Sequence, residues 1–282
     1  MIASKNKLSS KCAFIIVTYN SKNDISECII SIKSFHPECG IYVIDNNSTD
    51  GTKEILQSIE GIELILLPVN SGYSGGNNLG IKKAIESNYE YFFLFNPDAR
   101  LNQKIIEPLI KLNIRTNGLI GPVIRDFHTG KIQSIGGTFN PFFSHFYVSK
   151  KETSKNKELI RVDWILGASL LISRKIINKC GFLDENFFPA SLEDSSYCIE
   201  AKKRGINSYI NLRTYVIHKG GTSSGGDKKY LLRILKNRFY YALTYQNTLF
   251  FLTTIIESFL RYIYHKLFGV FKKNKVSKKN LK

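Results

Sequence analysis

Three times in the first ninety residues a short, β-rich apolar run breaks into a polar loop and then into a stretch with helical spacing, and a fourth such run follows. CAFIIVTYN (12–20) precedes DISECIISIKSF (24–35), GIYVIDNNSTD (40–50) precedes TKEILQSI (52–59), and IELILLPVN (62–70) precedes NLGIKKAIES (78–87), before YEYFFLFNPDA (89–99). Strands this apolar are buried on both faces, and helices between them make βαβ units. The fold class is therefore α/β, with a mainly parallel central sheet flanked by helices. Sheets wound this way bind ligands beyond the carboxyl ends of their strands.

Those ends carry Thr18, Tyr19 and Asn20, then Asp45 to Thr52, Asn70 to Asn78 and Asn96 to Ala99. Any one loop is ordinary turn chemistry, since Asn, Asp and Gly are turn residues. Four on one edge point to a nucleotide site. Glycines at 72, 75, 76 and 80 fit neither G-x-G-x-x-G nor G-x-x-x-x-G-K-[ST], which argues against a dinucleotide oxidoreductase and a P-loop NTPase. Asp45 could accept hydrogen bonds from ribose or base, or serve only as an Asx-turn residue.

Further along, SLEDSSYCIEAKKRG (191–205) places Glu193 and Asp194 at a helix mouth. Acids there complement the helix dipole, with Ser191 as N-cap, or they do chemistry. Both readings stand at this point.

The chain has 282 residues, formal net charge +17 and five cysteines. Eight of its 40 Lys and Arg fall in residues 261–282, which hold no acid. They follow the apolar, aromatic NTLFFLTTIIESFLRYIYHKLFGVF, a combination suited to an anionic membrane surface. A helix packed on the body with a solvated tail is the other reading. A spanning helix is disfavoured by Gln246, Asn247, Glu257 and Arg261. The chain divides at 1–226 and 227–282, the second part being helical and basic. An odd cysteine count without C-x-x-C reads as reduced thiols in the cytoplasm, and the basic N-terminus lacks the apolar core of a signal peptide. A nucleic-acid partner is not expected, because carboxylates, Asn and Gly rather than Lys and Arg gather at the strand ends. A non-catalytic basic protein that binds membrane or nucleic acid through its tail is the rival from another class.

VTYN, DNNSTDGT, NSGYSGGNN, FNPDA, WILGASLLISR (164–174), FLDENFFPASLED (182–194) and HKGGTS (218–223), in this order, resemble family 2 glycosyltransferases of the GT-A fold. The similarity runs from about Phe14 to Ser224, and within the family it is greatest to the rhamnosyltransferase-like branch of bacterial cell-surface polysaccharide synthesis. The resemblance implies that Thr18, Tyr19, Asn20, Asp45, Asn70, Gly72, Gly75, Gly76, Asn77, Asn96 and Asp98 bind the nucleotide-sugar, with Asn70 to Asn77 a loop under the diphosphate. It implies that Asp98 and His218 hold a divalent metal, Mg2+ or Mn2+, that Gly220 to Ser223 close on the diphosphate, that Asp194 is the base of an inverting displacement, and that Glu193 orients the acceptor. Trp164 would stack on the acceptor or sit in the core. The implied reaction moves a sugar, L-rhamnose from dTDP-rhamnose or a hexose from a UDP donor, to a lipid-linked saccharide on the inner face of the plasma membrane. Two departures from the family pattern are Asn96 for an acid and Ser196 for the last acid of E-D-x-D.

Overall fold

The computed structural model describes residues 7–143, 145–150, 157–220, 228–246, 249, 251–257, 259 and 260. Strand β1 (Cys12–Thr18), buried throughout, lies parallel to β2 (Gly40–Asp45) and β4 (Tyr91–Phe95), and β3 (Glu63–Leu66) continues the sheet beyond β2. Helices α1 (Ile25–Phe35), α2 (Thr52–Gln57) and α3 (Gly72–Glu86) make the connections. This half is the parallel α/β unit that the alternation predicts.

The other half is mixed. β11 (Ser169–Ser173) enters antiparallel between β4 and β6 (Leu119–Asp126), β12 (Ser208–His218) runs parallel to β6, and β10 (Leu159–Val162) closes the edge antiparallel to β12. Short strands β5 (Ala99–Arg100) and β7 (Ile132–Ser134) pair with β12 and β6, and β8 (Gly137–Asn140) and β9 (His145–Val148) form a separate hairpin.

Successive strand residues point to opposite faces, so β1 supplies two cores. Phe14 and Ile16 pack with α1, α2 and α4 (Ile106–Thr116), whereas Ala13 and Ile15 pack with α3, α5 (Arg174–Cys180) and α6 (Glu193–Lys203).

Two expectations are corrected. Helix α3 starts at Gly72 rather than Asn78, so residues 72–77 are helix and not a loop. A Cβ on Gly76 would lie 2.7 Å from Val17 Cγ1, and one on Gly80 would lie 2.6 Å from Ile15 Cγ2 and Ile44 Cδ1. These glycines bring the helix axis down onto β1 and β2, a close approach that a side chain at either position would prevent. Ser191 is not the cap of α6: Leu192 occupies that position at φ 73° and makes no side-chain cap bond, and Ser191 has φ 106°.

The first helix of the 227–282 segment, α7 (Lys228–Tyr245), packs on the body. Tyr241 shares a buried cluster with Phe187 and Ile199, the Tyr240 and Tyr245 hydroxyls donate to Asp184, and the Asn237 amide donates to Ser191 O at 2.8 Å.

Candidate active site

At the carboxyl edge, Thr18 and Asp45 end adjacent strands and are fully buried. Asp45 accepts from the Ser48 backbone N–H at 2.8 Å and from the Ser48 hydroxyl. The Asx turn is therefore real and uses both carboxylate oxygens, while the Thr18 hydroxyl is buried without a partner. Asn20, at φ 53°, accepts from Thr49 N–H at 2.8 Å, and Tyr19 beside it is 53% exposed. Asn70 Oδ1 accepts from Gly72 N–H at 2.8 Å, while Asn46, which the motif reading left out, binds the start of α3 by accepting from Ser71 and donating to Gly72 O. Asn77 donates back to Tyr73 O inside the helix, and Gly75 packs against Ser71.

The turn Asn96–Pro97–Asp98–Ala99 is closed by Ala99 N–H to Asn96 O at 3.1 Å, with proline at the position whose fixed φ suits it. β5 then pairs antiparallel with β12, Ala99 opposite His218, and this register brings together residues 119 positions apart in the sequence. His218 Nε2 lies 3.2 Å from Asp98 Oδ1 and 3.3 Å from Asn96 Nδ2, and Gly220 N–H donates to Asp98 Oδ2 at 3.1 Å. Burial pulls the Asp98 carboxyl upward, but the His218 contact and the Gly220 N–H outweigh it and hold the group below its usual value. Gly221 to Ser223 lie outside the described residues.

Gln133, on β7, was not singled out from the sequence. Its Oε1 sits 2.8 Å from His218 Nδ1. With hydrogen on Nδ1 shared with Gln133, Nε2 carries the proton that holds the Asp98 carboxyl down, and with that proton gone it presents a lone pair to the same space. Two electron-rich atoms converging at this distance need a proton or a cation between them. The donor set of one carboxylate and one imidazole fits a divalent ion of the Mn2+ type and leaves most of its coordination shell open. A second cluster, His36, Glu38 and Cys39, has ligand atoms within 4.8 Å of one another. There His36 Nε2 accepts from Ile105 and Ile106 N–H. Its neutral ring therefore carries hydrogen on Nδ1, which leaves no nitrogen lone pair for a metal.

The acidic pair occupies the start of α6. Asp194 Oδ2 accepts from Gly167 N–H and Oδ1 from Ser195 N–H. Gly167 is required there, since a Cβ would lie 2.8 Å from the Tyr73 hydroxyl and 3.1 Å from Asp194 Oδ2. Tyr73 itself donates to Gly167 O at 2.7 Å. Glu193 turns elsewhere, lining a small pocket with Asp184, Ser196, Glu200 and Tyr245, and its Oε2 has no hydrogen-bond partner. Burial, reinforced by the Asp194 charge, pushes Glu193 up to about 8, and burial also raises Asp194, against the Gly167 and Ser195 donors. Ser196 bonds back to Leu192 O and Glu193 O within the helix.

The two sites are neighbours through the backbone. Asn96 N–H donates to Ala168 O at 3.2 Å, and Ala168 adjoins the Gly167 peptide that holds Asp194. Trp164 stands apart from them: it is 3% exposed, donates Nε1–H to Thr138 O at 3.2 Å and packs edge-on against Phe146. It bridges Gly137 outside β11, so of its two readings the core placement is the one observed.

The mixed sheet, with a carboxylate–imidazole pair and a buried acid pair at one edge, has the architecture of the GT-A fold. The chain belongs to glycosyl transferase family 2, whose family profile matches residues 13–179. It is 29% identical over 197 residues to the low-salt glycan biosynthesis hexosyltransferase Agl10 of Haloferax volcanii, covering 69% of this chain and 62% of that protein. It is 24% identical over 220 residues to the dTDP-rhamnosyl transferase RfbF of Shigella flexneri, covering 77% of this chain and 72% of that one. The chain thus spans less than two thirds of the Agl10 relative. Among solved structures, GalNAc-T7 with UDP, GalNAc and Mn2+ superposes with TM-score 0.63 at 15% identity, covering 82% of this chain and 49% of that one. S. aureus TarS 1–349 superposes with TM-score 0.57 at 16% identity, covering 91% and 74%. Both share the fold.

Proposed function

We propose that the protein is an inverting glycosyltransferase that moves a deoxyhexose, L-rhamnose from dTDP-rhamnose, onto a lipid-linked saccharide in bacterial cell-surface polysaccharide synthesis. It works at the cytoplasmic face of the plasma membrane. The observation that carries this reading is the convergence of His218 Nε2 and Asp98 Oδ1 at 3.2 Å, on a turn hydrogen-bonded to the peptide next to the one that positions Asp194. The similarity to RfbF supports the choice of donor.

In this mechanism the loops that follow Thr18 and Asp45 receive the nucleoside, and Asp98 and His218 would hold the divalent cation. When bound, that ion neutralises charge growing on the departing diphosphate. Gln133 keeps the His218 lone pair turned inward. Asp194, oriented by Gly167 and Ser195, takes the proton of the acceptor hydroxyl as that oxygen attacks the anomeric carbon from the side opposite the diphosphate, inverting its configuration. Glu193 keeps its proton at neutral pH, so the pair carries one negative charge rather than two. A UDP-hexose donor is the second reading, favoured by the hexosyltransferase relative.

Thermal shift against dTDP, UDP, GDP and their sugar conjugates, with Mn2+ and then EDTA, tests the reading. A ligand bound by the folded state alone raises stability by RT ln(1 + [L]/Kd). The largest metal-dependent shift should come from dTDP-rhamnose; a larger one with a UDP-sugar selects the second reading, and none with any nucleotide sinks both.

A further inference from the structure

The helical residues 251–257, together with 249, 259 and 260, are amphipathic in the inverted sense. Their polar side chains face the protein. Thr254 is fully buried, the Thr253 hydroxyl donates to Phe142 O, and Glu257 accepts from Arg238 at 2.7 Å in an ion pair whose arginine is 6% exposed. Phe251 is half-buried, but the other apolar side chains face outward: Leu249, Leu252, Ile256, Phe259 and Leu260 are each 51% exposed or more, and Ile255 is 38% exposed. The spacing 249, 252, 256, 259/260 places most of them in one stripe along the helix. A contiguous face of large aliphatic and aromatic side chains turned away from the core marks an interaction surface.

Charge says what covers it. The next 22 residues carry eight Lys or Arg and no Asp or Glu, which suits an anionic surface and opposes another copy of a chain of net charge +17. No helix among the described residues is long and apolar enough to cross a membrane. We infer that the Leu249–Leu260 face is a lipid-contacting surface that lies in the headgroup boundary of an anionic bilayer, with residues 261–282 supplying electrostatic attraction. The Arg238–Glu257 pair and Thr254 make it a rigid plane of the folded protein, since the helix is fastened by its polar side. This inference gives the membrane location above a surface; it does not depend on which sugar is transferred.

The test is flotation of the full chain with phosphatidylcholine vesicles and with vesicles containing about 30% phosphatidylglycerol. The protein should float with the anionic vesicles alone and be partly released by high salt. Leu252→Glu with Ile256→Glu should lower the bound fraction about tenfold or more, with an unchanged melting curve and an unchanged nucleotide-induced shift; Leu252→Ser with Ile256→Ser, a milder pair, should give a smaller loss. Wild-type protein that stays at the bottom with anionic vesicles overturns the inference, as does a Glu pair that floats like wild type. A lipid-free dimer split by the Glu pair overturns it in favour of a protein interface. A missing nucleotide shift with normal flotation would strike the proposed reaction and leave the surface standing.

Discussion

Asp98 and Glu193 are buried to nearly the same degree, 4% and 6% exposed, yet their carboxyl groups move in opposite directions. Asp98 has an imidazole on one oxygen and a backbone N–H on the other, so it stays an anion out of water. Glu193 has an unpartnered oxygen and an acid as its sequence neighbour, so it holds a proton up to about pH 8. The difference shows that burial alone does not set the charge of a site; the groups placed against the carboxylate do. One edge of one sheet thereby keeps a permanent anion for a cation and a titrating pair for a proton.

The sharpest way to separate the two is Asp194→Asn. Nucleotide binding should survive while turnover falls about 10³-fold or more, read by isothermal titration alongside steady-state rates; near-normal turnover would remove Asp194 from its role. Asp98→Asn should do the converse, weakening nucleotide binding in Mn2+ on the order of 100-fold while affinity in EDTA barely changes. Equal losses in both buffers would show that Asp98 acts without a metal. Gln133→Leu probes the His218 side of the comparison. Freed of its partner, the ring can present the wrong tautomer, and the Mn2+ concentration for half-maximal activity should rise about 10- to 100-fold with kcat at saturating metal near wild type.

The smallest effect concerns stability. An acid whose folded pKa is raised contributes stability that is fully present below its unfolded pKa and lost as pH rises through the folded value. For Glu193 that window runs from the ordinary glutamate range to about 8. Glu193→Gln removes the titration, so the variant should gain on wild type as pH climbs from 5 to 8, by on the order of 1–3 kcal/mol. Melting curves at the two pH values measure this, and a stability difference between the two proteins that stays constant from pH 5 to 8 would mean the carboxyl is not held protonated.

Much of this site was legible in residues 12–99. Strands buried on both faces are continuous apolar runs, and Thr18, Asp45 and Asp98 stand where those runs end. His218 and Asp194 were legible by family likeness alone, since nothing local marks a histidine at a strand end as a ligand. Other features depend on contacts far along the chain. Gly76 reads as part of a loop until it is seen inside α3 with Val17 beneath it. Gln133 lies in a short strand with no motif, and its importance exists only through a ring 85 residues away. Gly167 is explained by Tyr73 and Asp194, one from each flank. Ser191 has the composition of a cap, but the backbone arrives at α6 through two left-handed residues held from α7. The outward apolar face at 249–260 could not be oriented from sequence, because an amphipathic stripe normally turns inward.

The adjoining peptides Gly167 and Ala168 carry a design constraint. One grips the Asp194 carboxylate, and the other is tied to the Asn96–Ala99 turn that carries Asp98. The β8–β9 hairpin is a sheet of its own, tied to the neighbouring chain by backbone bonds at Gly136, Gly137 and Ser149 and by the Trp164 ring. The four residues from Leu166 to Ser169 are different: shifting them by one position moves both buried carboxylates at once, so they are the part of the chassis that any redesign has to inherit unchanged.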